Sequence, residues 1–90
     1  MIYLDYNATS PIIPQSLREI ENGYKNRWGN ASSTHSVGQA AWSYLENCRS
    51  ACAAILGISP AELYFTSGGT ESNNLALWGL LQKNPSSQLV

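Results

Sequence analysis

The chain has 90 residues with a formal net charge of −1, and 43% of the residues are hydrophobic. This length allows at most one domain, and so much apolar material excludes a disordered segment. The net charge gives no reason to expect nucleic acid as a partner. Charged residues make up 12% of the chain, about half the share typical of soluble domains. We therefore expect other protein to cover part of the surface; a neutral surface rich in Asn, Ser and Gln is the alternative.

Membrane, secretory and metal-binding classes are not expected. Residues 1–6 contain no basic region followed by an apolar run, so they do not form a signal peptide. Residues 75–81 are the longest apolar stretch and are too short to span a membrane, so we expect a cytoplasmic protein. Cys48 and Cys52 suit neither a disulfide nor a zinc site and are interpreted as small core residues.

The amino-terminal third is predicted to hold one helix between two loops. Residues 2–4 suit a strand or an anchored arm, and a polar loop follows them. A helix is predicted over residues 14–24, because Pro14 suits a first helical turn and apolar residues recur at helical spacing. Residues 27–35 are rich in Gly, Asn and Ser and indicate an ordered loop.

A long second helix is predicted from Val37 to Ile55, where one stripe stays apolar over five turns. Gly57 follows at the position where a left-handed cap is expected. Ser59 and Glu62 form a capping box with proline in the first helical position, which predicts a single helical turn.

The last third predicts the opening of a βαβ unit. Residues 63–66 are β-branched and aromatic and suit a strand, and residues 88–90 begin another. A helix is predicted over residues 70–81 between them, apolar on most sides and therefore expected to be buried all round. The predicted fold class is α/β, with helices and the first strand of a sheet whose other strands lie outside this sequence.

The glycine turn before the third helix predicts a phosphate site. The first N–H groups of a helix have no internal partner, and the helix dipole makes that end positive. Gly68 and Gly69 would let an anion approach those groups closely. A helix cap that binds no ligand is the alternative. No lysine follows the glycines, which excludes a nucleoside-triphosphate loop. Three hydroxyls would add donors: Ser67, Thr70 and Ser72.

Three strings, in this order along the chain, resemble the signatures of cysteine desulfurases, which belong to the class V aminotransferase group of pyridoxal-phosphate (PLP) enzymes. They are residues 3–11 (YLDYNATSP), residues 28–38 (WGNASSTHSVG) and residues 65–75 (FTSGGTESNNL). Ala31 stands where proline is common in the second signature, a small departure at a loop position. The resemblance covers essentially the whole chain.

This resemblance implies the amino-terminal, incomplete part of the large domain of a fold type I PLP-dependent transferase. Residues 1–35 would supply an arm, a helix and a loop, and residues 36–90 a helix, a strand, the phosphate loop and a further helix. It implies that Gly68, Gly69 and Thr70 hold the phosphate of PLP. It also implies a substrate pocket lined by three residues of the amino-terminal loop: Asn7, Ala8 and Thr9.

The resemblance further implies conversion of L-cysteine to L-alanine, with the sulfur passed on as an enzyme persulfide. The family's catalytic lysine, aspartate, cysteine and arginine come from later segments, so no catalytic residue is assigned and the chain alone is expected to be inactive. His35 is interpreted as a loop or pocket-rim residue, and Glu71 is expected to point away from a bound phosphate.

The complete enzyme would be a homodimer that hands sulfur to an acceptor protein for iron–sulfur cluster assembly or tRNA thiolation. Two alternatives remain. One is a related PLP β-lyase such as a selenocysteine lyase. The other is a non-catalytic chain that caps or regulates a full-length partner.

Overall fold

The computed structural model describes residues 1–86. The described residues form three α-helices and one short 3₁₀ turn: α1 (Pro14–Asn26), α2 (Ser36–Leu56), the 3₁₀ turn (Pro60–Glu62) and α3 (Gly69–Lys83). The chain divides into two compact units, Met1–Cys52 and Ala53–Val90, and α2 contributes to both. No described helix combines the length and the apolar character that crossing a membrane would need.

Helix α1 begins at Pro14 as predicted and ends one half-turn later than expected, at Asn26. The proline needs no hydrogen-bond acceptor in the first turn, and its φ angle is already helical. At the other end the backbone N–H of Arg27 donates to the carbonyl of Gly23 over 2.8 Å. Lys25 lies in the last turn, where a cation interacts favourably with the helix dipole.

The loop before α2 is held against the first turn of the helix. Gln39 donates from its side chain to the carbonyl of Thr34 over 2.8 Å, and His35 accepts at Nδ1 from the backbone N–H of Gly38. A Cβ atom added to Gly29 would lie 2.6 Å from the carbonyl oxygen of Val37. Gly29 therefore permits a close backbone approach that no other residue would allow.

Helix α2 ends in the glycine cap that the sequence predicted. Gly57 has a φ of +69°, in the left-handed region. Its N–H donates to the carbonyl of Ala54 over 3.3 Å, and the N–H of Ile58 donates to the carbonyl of Ala53 over 3.1 Å. These two bonds make a Schellman motif, which satisfies carbonyls that the helix end would leave open.

The predicted capping box is confirmed around the 3₁₀ turn. The carboxylate of Glu62 accepts from the backbone N–H of Ser59 over 2.8 Å, and the Ser59 hydroxyl accepts from the N–H of Ala61 over 3.4 Å. Pro60 stands in the first helical position. The turn sets the direction in which the chain enters residues 63–66.

The strand predicted over residues 63–66 is not confirmed. These residues lie outside every helix, and Leu63 has extended dihedral angles, yet the structure through residue 86 holds no β-strand. A strand exists only when a neighbouring strand pairs with it, and such pairing is non-local. The second predicted strand, residues 88–90, lies outside the described residues.

Few apolar side chains are buried in the described residues. Ala41 and Ala53 form the buried hydrophobic set, at 7% and 0% exposure. Helix α3 was expected to be buried all round, but Trp78 is 63% and Leu80 is 60% exposed, so that expectation is wrong for this chain. The expectation that both cysteines face a core is wrong for Cys52, which is exposed.

Candidate functional site

The glycine loop, residues 66–72, runs directly into the first turn of α3. Backbone donors without an intrahelical acceptor therefore lie at the start of the helix. Gly68 is the N-cap residue, and the first helical hydrogen bond runs from the N–H of Ser72 to the carbonyl of Gly68 over 3.1 Å. The amides of Gly69, Thr70 and Glu71 therefore precede the first residue that has an acceptor within the helix. The dipole of a helix of 15 residues adds a partial positive charge at this end.

Space beside the two glycines is open. A Cβ atom added to Gly68 or Gly69 would meet no atom within 4 Å. Gly68 has φ 162° and ψ −176°, an extended conformation that any residue adopts, so the backbone itself does not require glycine there. What glycine provides is access, because no side chain stands between a ligand and the amides.

The three hydroxyls predicted as donors have different roles. Ser72 bonds to Thr66, with 2.6 Å between the two hydroxyl oxygens, and Thr66 also donates to the carbonyl of Gly68 over 3.2 Å. Ser67 donates its hydroxyl to Glu71. Thr70 has no hydrogen-bond partner for its hydroxyl within residues 1–86, so it is the hydroxyl that remains available to a ligand.

Glu71 turns back toward the loop rather than extending away from it. One of its carboxylate oxygens accepts from the backbone N–H of Ser67 over 3.0 Å and from the Ser67 hydroxyl over 2.5 Å. The side-chain hydrogen bond from Ser67, and next the backbone one, lower the pKa of Glu71 below its ordinary value of 4.5. The carboxylate is therefore ionised at neutral pH and occupies the donors of Ser67.

A groove of about 600 Å³ shares two residues with the glycine loop. Thr66 and Ser72 line it together with Leu75 and Ala76, which supply apolar surface from α3. Such a wall suits an uncharged ring or hydrocarbon surface beside a polar anchor. The full lining is Glu62, Leu63, Tyr64, Thr66, Ser72, Leu75 and Ala76.

The predicted substrate loop is a hydrogen-bonded turn in the first unit. The N–H of Ala8 donates to the carbonyl of Asp5 over 3.1 Å. The Tyr3 hydroxyl lies 3.0 Å from the carbonyl of Asp5 and 3.4 Å from that of Thr9, so it joins both ends of the turn. Asn7 is exposed at the tip, and its side-chain amide can donate to a carboxylate.

Tyr6 packs edge-to-face on Tyr3, with ring centroids 4.9 Å apart. These rings help line a cavity of about 440 Å³ that Thr9 also borders. Asn7 and Ala8 do not line this cavity. The predicted substrate residues thus belong to the first unit, whereas Gly68, Gly69 and Thr70 belong to the second.

A cation–π pair was missed by the sequence analysis. The guanidinium carbon of Arg27 lies 3.9 Å from the centre of the Tyr44 ring, and Arg27 Nη1 is buried without a hydrogen-bond partner in the described residues. The neighbouring Cys48 thiol raises the pKa of Tyr44 above 10.0. No local pattern reports such a pair, because the two residues come from different elements. They line a cavity of about 390 Å³ with Glu19, Ile20, Gly23, Tyr24 and Trp28.

No described segment gathers three His, Cys, Asp or Glu side chains that could hold a metal ion. The lone histidine, His35, lies at the start of α2 and bonds to the backbone of that helix.

Comparison with known proteins places these features in a family. The class V aminotransferase model matches residues 2–89. The chain is 47% identical over 88 residues to a protein of Bacillus subtilis (strain 168) that carries the name cysteine desulfurase NifS, a match over 98% of this chain and 22% of that protein. It is 42% identical over 81 residues to a cysteine desulfurase of Frankia sp. (strain EuIK1), over 90% of this chain and 19% of that protein.

A selenocysteine lyase of Rattus norvegicus is 41% identical over 76 residues, which cover 84% of this chain and 18% of the lyase. The chain thus spans about a fifth of the length of these curated relatives. No solved structure gives a significant match. Since the family model matches nearly every residue and the glycine loop has the open amides that the family signature implies, the chain belongs to the class V aminotransferase family.

Proposed function

We propose that this chain is the amino-terminal part of a PLP-dependent cysteine desulfurase. The complete enzyme converts L-cysteine to L-alanine and passes the sulfur on as an enzyme persulfide. Within it, Gly68, Gly69 and Thr70 hold the phosphate of PLP, and residues 7–9 form part of the substrate pocket. One observation carries the proposal: the loop presents open amides and a free Thr70 hydroxyl at the positive end of α3.

The loop fits a phosphate group in both charge and donor type. The backbone N–H groups of Gly69 and Thr70 and the Thr70 hydroxyl offer three donors, and a phosphate offers only acceptors. The site lacks a lysine, which suits a monophosphate ester whose remaining affinity comes from other groups of a larger protein. PLP, when bound, supplies an electron sink for reactions at the carbon atoms of an amino acid.

The amino-terminal turn suits the carboxylate of an amino-acid substrate. The exposed Asn7 side chain can donate to that carboxylate, and Tyr3 fixes the turn that carries it. The proposal assigns Ala8 and Thr9 to the wall of the same pocket. Chemistry on the sulfur atom is assigned to residues outside this sequence.

A larger protein is also indicated by the exposed apolar surface. Large apolar side chains are exposed in each unit, among them Tyr24 (79%) and Trp42 (55%) in the first and Tyr64 (71%) and Trp78 (63%) in the second. Extensive exposed apolar surface of this kind marks a site of contact with other protein. We therefore propose that the complete protein covers this surface, that it is a cytoplasmic homodimer, and that it delivers sulfur to an acceptor protein.

A selenocysteine lyase is the second candidate, because a relative of that name matches at nearly the same identity as the desulfurases. The described site would grip a cofactor common to both and cannot separate them. Assays of the full-length protein with L-cysteine and L-selenocysteine separate them directly. Release of sulfur from L-cysteine at a rate equal to or greater than release of selenium from L-selenocysteine supports the desulfurase. Activity confined to L-selenocysteine supports the lyase. A third candidate, a non-catalytic chain that binds a full-length partner, predicts a cooperatively folded monomer in solution.

Thr70 offers the sharpest test of the phosphate loop. In the full-length protein, we expect Thr70→Ala to weaken PLP binding about tenfold or more, since a hydrogen bond to a charged group is lost. Thr70→Ser keeps the hydroxyl and is the matched control, with affinity close to that of the unchanged protein. Equilibrium binding of PLP followed by fluorescence measures both. Equal affinity in all three proteins would mean that Thr70 does not hold the phosphate.

A further inference from the structure

Glu71 holds the residue that precedes the glycine turn. Its carboxylate accepts from Ser67 twice, once from the backbone N–H over 3.0 Å and once from the hydroxyl. Ser67 lies before α3 and Glu71 lies in its first turn, so this contact closes the loop across the start of the helix. Ser67 therefore has neither donor left for a ligand.

A second contact joins the residues that flank the first one on either side, Thr66 and Ser72. The hydroxyl oxygens of Thr66 and Ser72 lie 2.6 Å apart, and Thr66 also donates to the carbonyl of Gly68. Together the two contacts join residues 66 and 67 to residues 71 and 72. The segment between them, residues 68–70, is the part of the loop whose donors remain open.

The carboxylate of Glu71 cannot itself bind a phosphate. It has only acceptor atoms when ionised, and its charge repels an anion. Its contribution to an anion site must therefore be indirect, through the conformation of the loop. An acidic side chain that pairs with backbone donors at a helix start stabilises that start, as in a capping box.

We infer that Glu71 is a positioning residue of the phosphate loop: by accepting both Ser67 donors it fixes the loop and leaves the Gly69 and Thr70 donors directed to the anion. This inference rests on the proposed function of the loop. It adds that Ser67 is not a phosphate ligand and that the loop is preformed before the anion arrives. Preformed donors bind an anion without the cost of ordering the loop.

The test uses the full 90-residue chain with inorganic phosphate as the probe, followed through backbone amide NMR signals. In the unchanged chain we expect the Gly69 and Thr70 signals to shift on addition of phosphate and those of Ser67 to move little. In Glu71→Ala we expect exchange of the Ser67 amide to speed up and phosphate affinity to fall, each about threefold to tenfold, as after loss of a helix cap. Added chloride at equal ionic strength is the blank titration.

Two further variants separate positioning from charge and from general folding. Glu71→Gln removes the charge but keeps an oxygen that accepts from Ser67, so affinity is expected to stay within about twofold of the unchanged chain. Glu21→Ala removes an equal charge from an exposed position of α1, in the first unit, and should leave Ser67 and phosphate binding unaffected. Circular dichroism checks that each variant keeps its helices.

The outcomes distinguish the inference from the proposed function. If Gly69 and Thr70 respond to phosphate but Glu71→Ala binds it as tightly as the unchanged chain, or more tightly, the positioning role is wrong and the phosphate loop stands. If Gly69 and Thr70 of the unchanged chain do not respond and Thr70→Ala leaves PLP binding by the full-length protein unchanged, the phosphate loop itself is wrong. Loss of affinity in Glu71→Ala with rescue in Glu71→Gln supports both.

Discussion

The Nδ1 atom of His35 accepts a hydrogen bond from the backbone N–H of Gly38 over 3.3 Å. His35 precedes the first residue of α2, and its carbonyl accepts from the N–H of Gln39 over 3.0 Å, so it stands at the N-cap position. An accepting Nδ1 carries no proton, and the proton of the neutral ring is therefore on Nε2. The only histidine of the chain is thus a helix cap in a loop of the second family signature.

Replacing His35 tests this capping role. We expect His35→Ala to lower the free energy of unfolding by about 1 kcal/mol, as for loss of other N-cap side chains. His35→Asn should retain most of the stability, because asparagine is a preferred N-cap residue. Urea denaturation followed by circular dichroism measures the difference. Equal midpoints for the alanine variant and the unchanged chain would show that the ring contributes nothing as a cap.

Gly38 is predicted to tolerate no side chain. An added Cβ would lie 2.6 Å from the Cβ of Ser33 and 2.7 Å from the carbonyl oxygen of Asn30. Gly38→Ala should therefore destabilise the chain by about 1–3 kcal/mol through overpacking. Gly23→Ala is the matched control: it also lies within a helix, and its added Cβ meets no atom within 4 Å. The control should gain about 0.5–1 kcal/mol in the same denaturation experiment.

The Glu71 contact predicts a loss of loop stability in acid. The hydrogen bonds from Ser67 lower the pKa of Glu71 below 4.5, so the folded chain binds this proton less readily than the unfolded chain. The contribution of the ionised Glu71 carboxylate to the free energy of unfolding is fully present above pH 4.5. It is lost as the pH falls through the lower pKa that Glu71 has in the folded chain. NMR titration of the Glu71 carboxyl carbon measures that pKa. In Ser67→Ala it should rise toward the ordinary value; an unchanged pKa would contradict the contact.

The Tyr44 hydroxyl is predicted to lose its proton at a higher pH than an ordinary tyrosine. The hydrogen bond with the Cys48 thiol and, second, the charge of that group raise the pKa of Tyr44 above 10.0, while Arg27 opposes the shift and Glu19 adds to it. Any contribution of the protonated Tyr44 hydroxyl to the free energy of unfolding is fully present below pH 10.0. It is lost as the pH rises through the higher pKa that Tyr44 has in the folded chain. Cys48→Ala should lower the Tyr44 pKa, as read from its ring carbon signal by NMR. A Tyr44 pKa that stays raised in this variant would assign the shift to another group.

The Tyr3 hydroxyl is predicted to order the amino-terminal turn. Tyr3→Phe removes its contacts with the carbonyls of Asp5 and Thr9 while keeping the ring that packs on Tyr6. We expect exchange of the Ala8 amide to become about threefold faster, since one exposed hydrogen bond is worth about 0.5–1.5 kcal/mol. Tyr6→Phe is the control and should leave that exchange rate unchanged. The same rate in both variants would rule out the Tyr3 hydroxyl as a clamp.

Local signals predicted the helices well, because helix formation depends on neighbouring residues. The apolar stripe from Val37 to Ile55 and the cap at Gly57 place α2 within one residue of its observed ends. The capping box at Ser59 and Glu62 is confirmed for the same reason. A strand at residues 63–66 depends on a partner distant in sequence, so its composition alone could not establish a sheet.

The site was predicted at the level of the backbone but not of the side chains. The glycine turn and the start of α3 follow from residue order, and the structure bears out where they lie. The assignment of Gly68, Gly69 and Thr70 to a cofactor, and of Asn7, Ala8 and Thr9 to a substrate, stays a prediction. Which hydroxyl remains free depends on rotamers, and Ser67 could not be separated from Thr70 by type alone.

The small buried set around Ala41 and Ala53 has a calorimetric consequence. The heat capacity increment of unfolding comes mainly from newly hydrated apolar surface, about 12–15 cal/mol/K per residue in ordinary globular domains. Side chains such as Trp78 and Leu80 are already in contact with water, so melting the isolated chain hydrates little more. Its increment per residue should fall below that range, its denaturant slope should be shallow, and its melting curve should be broad.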